Sequence, residues 1–365
     1  MQSVAQTVKR KTIDILQTVK RSISISFVIK ILPILSFVIP FALLYFLDIT
    51  LYHLNPSSFE MTWKGRTYYL FFIWLVFLET IMSWDELKTT KITKLRSKRT
   101  IGFALCLLLP TIYVLIGNFL GLNTAIVNLY NQVMGPGLEW FANYMPLSIE
   151  YLFFGVIFTT TTMVMYGKRG FTNFSISISL LFAIGTFYIV DNFFPNGKIT
   201  LLQLPTLPTA HLAANVLNLW GYGTIMSTVT DPKYGWMPYL TAYDPKNFTR
   251  RAEFGIGWPC AGVDSFILYT ITFLLFLKKS DISLWQRIVY FMFGAIVTYL
   301  INIWRIATIF VVAINTGVYS LQTQRFHEYY GPLYSMMWIM LYPLIMIGSL
   351  ALWKIIKKPK TVKRF

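Results

Sequence analysis

The chain has 365 residues, of which 55% are hydrophobic, 17% aromatic and only 13% charged, with a mean hydropathy of +0.56. A soluble domain carries roughly 25% charged residues, so a soluble fold, a disordered chain and a coiled coil are all excluded. The net charge of +17, from 32 Lys and Arg against 15 Asp and Glu, would mark a nucleic-acid binder among soluble proteins. In a membrane protein it instead marks sidedness, because Lys and Arg collect on the cytoplasmic face, and no nucleic-acid partner is expected.

A basic arm, 1–24, precedes apolar blocks near 25–47, 68–84, 100–120, 149–166, 174–190, 260–277, 288–314 and 331–353. A helix needs about 20 apolar residues to cross a bilayer, and these blocks have that length. The first is long enough to span, so the arm is expected to be a retained anchor. With the N-terminus inside, 22 of the 32 cations fall on cytoplasmic segments and 8 on outer ones, while Lys30 and Arg305 fall within spans. The runs Lys88–Arg99 and Lys354–Arg364 set the orientation. The expected fold is an all-α polytopic membrane protein of about eight transmembrane helices over 25–353. Both termini are expected in the cytoplasm, with a basic tail over 354–365.

Residues 191–259 do not fit this alternation. The stretch Leu201–Val229 is moderately apolar but broken by Pro205, Pro208, Gly221 and Gly223. A crossing there would turn the cationic tail outward, so 191–259 is expected to be a long extracytoplasmic loop. Thr209–Trp220 would form a short helix on the membrane surface within it, followed by turns at Asp231-Pro-Lys and Asp244-Pro-Lys.

Ionisable and strongly polar residues inside spans are rare and mark function by default. Here they are Glu79, Asp264, Asn302 and Arg305. Glu79 lies near the cytoplasmic end of its span, where a structural role suffices. Arg305 lies deeper and needs a partner or a water-filled cavity. Cys106, within the third span, is expected to be packed. Cys260 stands at the outer, N-terminal end of the sixth span, where exposed backbone N–H groups and the helix dipole favour a thiolate. His327, in Arg325-Phe-His-Glu-Tyr-Tyr-Gly331, precedes the last span on the same side. A nucleophile, a proton carrier and a fixed cation sharing one face suit thiol-based acyl transfer. Two other readings remain open at this point: an intramembrane cysteine protease without transfer, and an anion or lipid permease using Arg305.

Three short motifs occur in order, Cys-Ala-Gly-Val-Asp-Ser (260–265), Asn-x-x-Arg-Ile (302–306) and His-x-x-x-Gly (327–331), after Ala-Ala-Asn-Val-Leu-Asn-Leu-Trp-Gly (213–221). This set resembles the exosortase/archaeosortase family of membrane cysteine transpeptidases, over roughly 145–350 and most closely over 258–331. Its histidine resembles the His-bearing branches, and the insertion 226–257 departs from shorter relatives.

The resemblance implies an enzyme of the cell membrane with its active site on the extracytoplasmic face. It would cleave exported proteins bearing a C-terminal sorting signal made of a short motif, a transmembrane helix and a basic cluster. The acyl group would pass through a thioester to a lipid or other membrane-linked acceptor. Carried over by position, Cys260 is the nucleophile, Arg305 the cationic stabiliser and His327 the third catalytic member, with Gly262 and Ser265 in the motif around the cysteine. Neither a metal nor a cofactor is implied. Asp264, one turn after Cys260, is expected on the same face, orienting Arg305 through an ion pair or hydrogen-bonded to a neighbouring helix. Asn302 would line the same pocket, with Trp258 as a wall.

Overall fold

The computed structural model describes residues 31–43, 56–89, 98–135, 139–194, 198–231, 235–277 and 282–356. The basic arm 1–24 and most of the tail 354–365 lie outside that set. The chain divides into two units. One comprises Met1–Thr50, Tyr69–Asn123 and Leu152–Leu181; the other comprises Leu51–Tyr68, Thr124–Tyr151 and Phe182–Phe365.

The elements in chain order are α1 (Ile31–Leu43), α2 (Pro56–Met82), α3 (Lys98–Phe119), α4 (Leu122–Met134), α5 (Met145–Tyr166), α6 (Ser175–Phe193) and α7 (Thr206–Leu219). Strands β1 (Gly223–Asp231), β2 (Gly235–Asp244) and β3 (Asn247–Gly255) follow, then α8 (Asp264–Leu277), α9 (Leu284–Thr316), α10 (Leu321–Arg325) and α11 (Gly331–Ile356), with short helical turns between. Among the described residues, six helical segments are long and apolar enough to cross a membrane: Thr100–Phe119, Met145–Tyr166, Ser175–Phe193, Pro259–Leu277, Leu284–Thr316 and Gly331–Trp353. The first two expected spans correspond to shorter apolar helices, Ile31–Leu43 and Tyr68–Met82. The result is a predominantly helical, multi-pass membrane protein. Exposed apolar stripes such as Ile101, Leu105, Leu108 and Ile112 on α3 follow helical spacing and suit contact with lipid.

The first unit has an aromatic core. Phe37 of α1 meets Phe72, Phe154 and Phe158 edge-on, at centroid distances of 5.8, 5.7 and 5.2 Å. Glu79 is buried here, and its carboxylate accepts from the backbone N–H groups of Ile176 (3.1 Å) and Ser177 (3.0 Å). These belong to the first turn of α6, whose N–H groups have no partner within the helix. Glu79 therefore caps another helix.

In the second unit, α9 is a 33-residue helix opened by a capping box between Ser283 and Gln286. Its residues Ile303, Ile306, Ala307, Phe310, Ala313 and Ile314 form one core with Ala210, Ala213, Ala214 and Leu217 of α7 and with residues of β2 and β3. The alanines of α7 leave room for close approach, so the apolar face of this helix packs against protein. The expected helix is present and packs one face against protein, while Leu207, Leu212, Leu219 and Trp220 stay exposed on the rest of it.

A difference concerns 223–255, read from the sequence as turn-rich loop. It forms a three-stranded antiparallel sheet in the order β1-β2-β3. Its register runs Gly223↔Tyr243 through Asp231↔Gly235 and Tyr239↔Gly255 through Ala242↔Ala252, with an irregularity at Tyr243/Asp244. Among the described residues, the regular structure outside this sheet is helical. β-Branched and aromatic residues fill the strands, and Asp244-Pro-Lys246 supplies the tight turn.

Candidate active site

Cys260 lies in a kinked turn, Pro259–Val263, between β3 and α8. Gly262 adopts φ +95 there, a left-handed conformation that glycine enters freely. A Cβ at Gly262 would also stand 2.9 Å from Nδ2 of Asn302. That closeness is used, because Asn302 Nδ2 donates to the Cys260 carbonyl at 3.0 Å. The Asn302 side-chain oxygen in turn accepts from Arg305 Nη1 at 3.4 Å. One asparagine on α9 thus links the cysteine turn to the buried guanidinium, which is 7% exposed.

The third motif meets the same arginine. Gly331, the first residue of α11, stands where a Cβ would fall 2.9 Å from both Arg305 Nε and the Phe326 carbonyl. The glycine that ends His-x-x-x-Gly lets the arginine lie against the turn Phe326–Tyr330, which carries His327.

Cys260 and His327 line one cavity of about 550 Å³. Its floor is apolar, built by Ile306, Ile309 and Phe310 of α9; Tyr239, Glu253, Phe254, Gly255 and Ile256 contribute from the sheet side, and Val318, Tyr319, Thr323 and Gln324 close the rest. Spacings of three and four residues put Asn302, Ile306, Ile309, Phe310 and Ala313 on one face of α9.

The other expected site residues are placed elsewhere. Trp258 is 1% exposed and packs edge-on against Phe187, with ring centroids 4.6 Å apart. Ser265 is buried on α8. Neither lines the cavity. Asp264 lines a separate void of about 10 Å³ with Tyr68 and Tyr188, and its Oδ2 accepts from the Tyr68 hydroxyl at 3.2 Å. The one-face relation expected for Cys260 and Asp264 assumes a continuous helix. Gly262, at positive φ, breaks that helix between them.

Tyr68 escaped sequence reading because 196 positions separate it from Asp264, and no local pattern links them. The sheet residues on the cavity were missed with the sheet itself; the alternation in Gly235–Asp244 was the available signal. Among the described residues, no group of three or more His, Cys, Asp or Glu is placed to hold a metal ion.

The family model described as transmembrane exosortase matches residues 62–344. The match extends well to the N-terminal side of the motif-bearing stretch. No curated protein and no solved structure matches the chain.

Proposed function

The chain belongs to the transmembrane exosortase family, and from that premise we propose that it is a cysteine transpeptidase acting on exported proteins with C-terminal sorting signals. The observation that carries the reading is the shared cavity: Cys260 and His327 both line it, and Asn302 links the Cys260 backbone to the Arg305 guanidinium.

In this reading His327 takes the thiol proton, and the Cys260 sulfur attacks the substrate's scissile carbonyl. The carbonyl π electrons move onto oxygen, where Arg305 stabilises the charge. A fixed cation in a site of low dielectric is worth more than in water, because it need not reorganise as charge develops. Collapse of the intermediate breaks the C–N bond, and the leaving amine receives its proton from the His327 imidazolium. A thioester remains on Cys260. A membrane-linked amine or hydroxyl then attacks it with His327 as base, and the thiolate is released. The cut falls on the extracytoplasmic side, and the C-terminal helix of the substrate stays in the bilayer as the leaving group. Asn302 acts as a positioning residue for both the cysteine turn and the arginine. Family membership favours this enzymatic reading over a permease.

The test is the Cys260→Ala variant in the native host. Exported proteins ending in a short motif, a transmembrane helix and a basic cluster should accumulate with that C-terminal segment attached. Normal processing in the variant would remove Cys260 from the chemistry.

A further inference from the structure

We propose that the outer edge of β3 is a docking strand, and that the substrate segment acylating Cys260 binds there in extended form as a fourth strand of the sheet. The inference rests on the proposed function and adds how the peptide is held.

The sheet order β1-β2-β3 leaves β3 paired on one side only, with β2, among the described residues. The phase of that pairing identifies the backbone groups that face outward. Ile256 donates its N–H to the Pro238 carbonyl at 2.8 Å, continuing the register Tyr239↔Gly255, Leu240↔Phe254 and Thr241↔Glu253. In an antiparallel ladder, successive residues alternate between pointing their N–H and C=O at the partner and away from it. Ile256 points at β2, so Phe254 does as well, and Glu253 and Gly255 turn both groups to the open side.

Those residues border the cavity that holds Cys260 and His327. Glu253, Phe254, Gly255 and Ile256 all line it, although alternate side chains of a strand point to opposite faces. A cavity touched by Glu253, Phe254 and Gly255 of β3 and by Ile256 just beyond it runs along the strand's edge. Gly255 contributes through its missing side chain, because a Cβ there would fall 2.6 Å from Met237 Sδ and 3.1 Å from the Tyr239 ring. The bare backbone lets the Tyr239 ring lie over β3 and share the cavity wall. Cys260 follows Gly255 by five residues, and the apolar floor of Ile306, Ile309 and Phe310 suits an uncharged side chain of the docked segment. Edge addition of an extended peptide draws its affinity from main-chain hydrogen bonds and its specificity from pockets for alternate side chains. Both are present here beside a thiol.

The test uses the full-length protein in lipid nanodiscs and two thiol reagents. One is acetyl-Ala-Val-Ala-Val vinyl sulfone; the other is iodoacetamide, which needs no peptide site. The Cys260 sulfur adds to the terminal vinyl carbon, the π electrons move to the carbon beside the sulfone, and that carbon is protonated. N-methylating each amide of the peptide in turn should slow alkylation at alternate positions and spare those between them. Glu253→Pro removes one outward N–H and leaves the β2 pairing intact, a position proline accepts on an edge strand. It should slow the peptide reagent about five- to tenfold relative to iodoacetamide, the size of one lost hydrogen bond. Glu253→Ala keeps that N–H, so the proline variant should be slowed several-fold more than the alanine variant.

A flat N-methyl scan, or an unchanged ratio in Glu253→Pro, would overturn edge docking while Cys260 alkylation by both reagents left the proposed function standing. Failure of both reagents to modify Cys260 would remove the proposed function and this inference together. The N-methyl scan needs only the unmutated protein, so the question stays decidable if the proline variant fails to fold.

Discussion

Gly262 and Gly331 stand where a methyl group has no room, each beside a group the proposed chemistry uses. At Gly262 the positive φ and the 2.9 Å approach of Asn302 act together. Gly262→Ala would impose left-handed strain of about 1–2 kcal/mol on an L-residue and push Asn302 off the Cys260 carbonyl. Its expected outcome is protein that still folds and inserts while Cys260-dependent processing falls at least about tenfold, an amount equal to about 1.4 kcal/mol; pulse-labelled substrate measures it. Arg305 bears on the same geometry through its bond to Asn302. Lysine carries the charge but lacks the planar fork, so Arg305→Lys should cost roughly 2–4 kcal/mol of transition-state stabilisation if the guanidinium acts as an oxyanion donor. Near-normal turnover in that variant would reassign Arg305 to structure.

Among the elements, long apolar helices were legible in the sequence because a bilayer demands uninterrupted apolar runs, and Met145–Tyr166 through Gly331–Trp353 lie close to the expected blocks. The sheet was not legible, because Gly223, Asp231-Pro-Lys and Asp244-Pro-Lys246 pointed to a loop. Pro238 sits in the central strand, where its carbonyl still accepts from Ile256 and its missing N–H falls at the end of the ladder with β3. At Asp264 helical spacing crosses a turn that Gly262 breaks, while the alternative expectation, a hydrogen bond to a neighbouring helix, is met by the Tyr68 hydroxyl. Glu79 was expected to be structural, and its bonds to Ile176 and Ser177 define that structure. Glu79→Ala would leave two first-turn N–H groups of α6 without this acceptor inside the protein, at about 1–3 kcal/mol. Thermal unfolding in detergent should show a lower midpoint, with Cys260 alkylation by iodoacetamide unchanged in the folded protein. An unaltered midpoint would mean water replaces the carboxylate at no cost.

At the scale of the whole molecule, composition alone committed the chain to the membrane, and the ordered motifs 260–265, 302–306 and 327–331 pointed to one family, which the match over 62–344 establishes. What composition and order could not convey is how distant segments meet. Asn302 bridges the cysteine turn and Arg305, Gly331 admits the arginine beside the His327 turn, and Tyr68 reaches Asp264 from the other end of the sequence. Each is a tertiary contact between elements that carry no mutual period.

The central claim is that the Cys260 sulfur carries the substrate as a thioester. It is tested most directly by acid-quenching the enzyme during turnover and measuring the mass of the Cys260 peptide. The account predicts an acyl adduct on that peptide, released by hydroxylamine and missing from Cys260→Ala. Substrate cleavage at normal rate with no such adduct, or with the adduct on another residue, would contradict it.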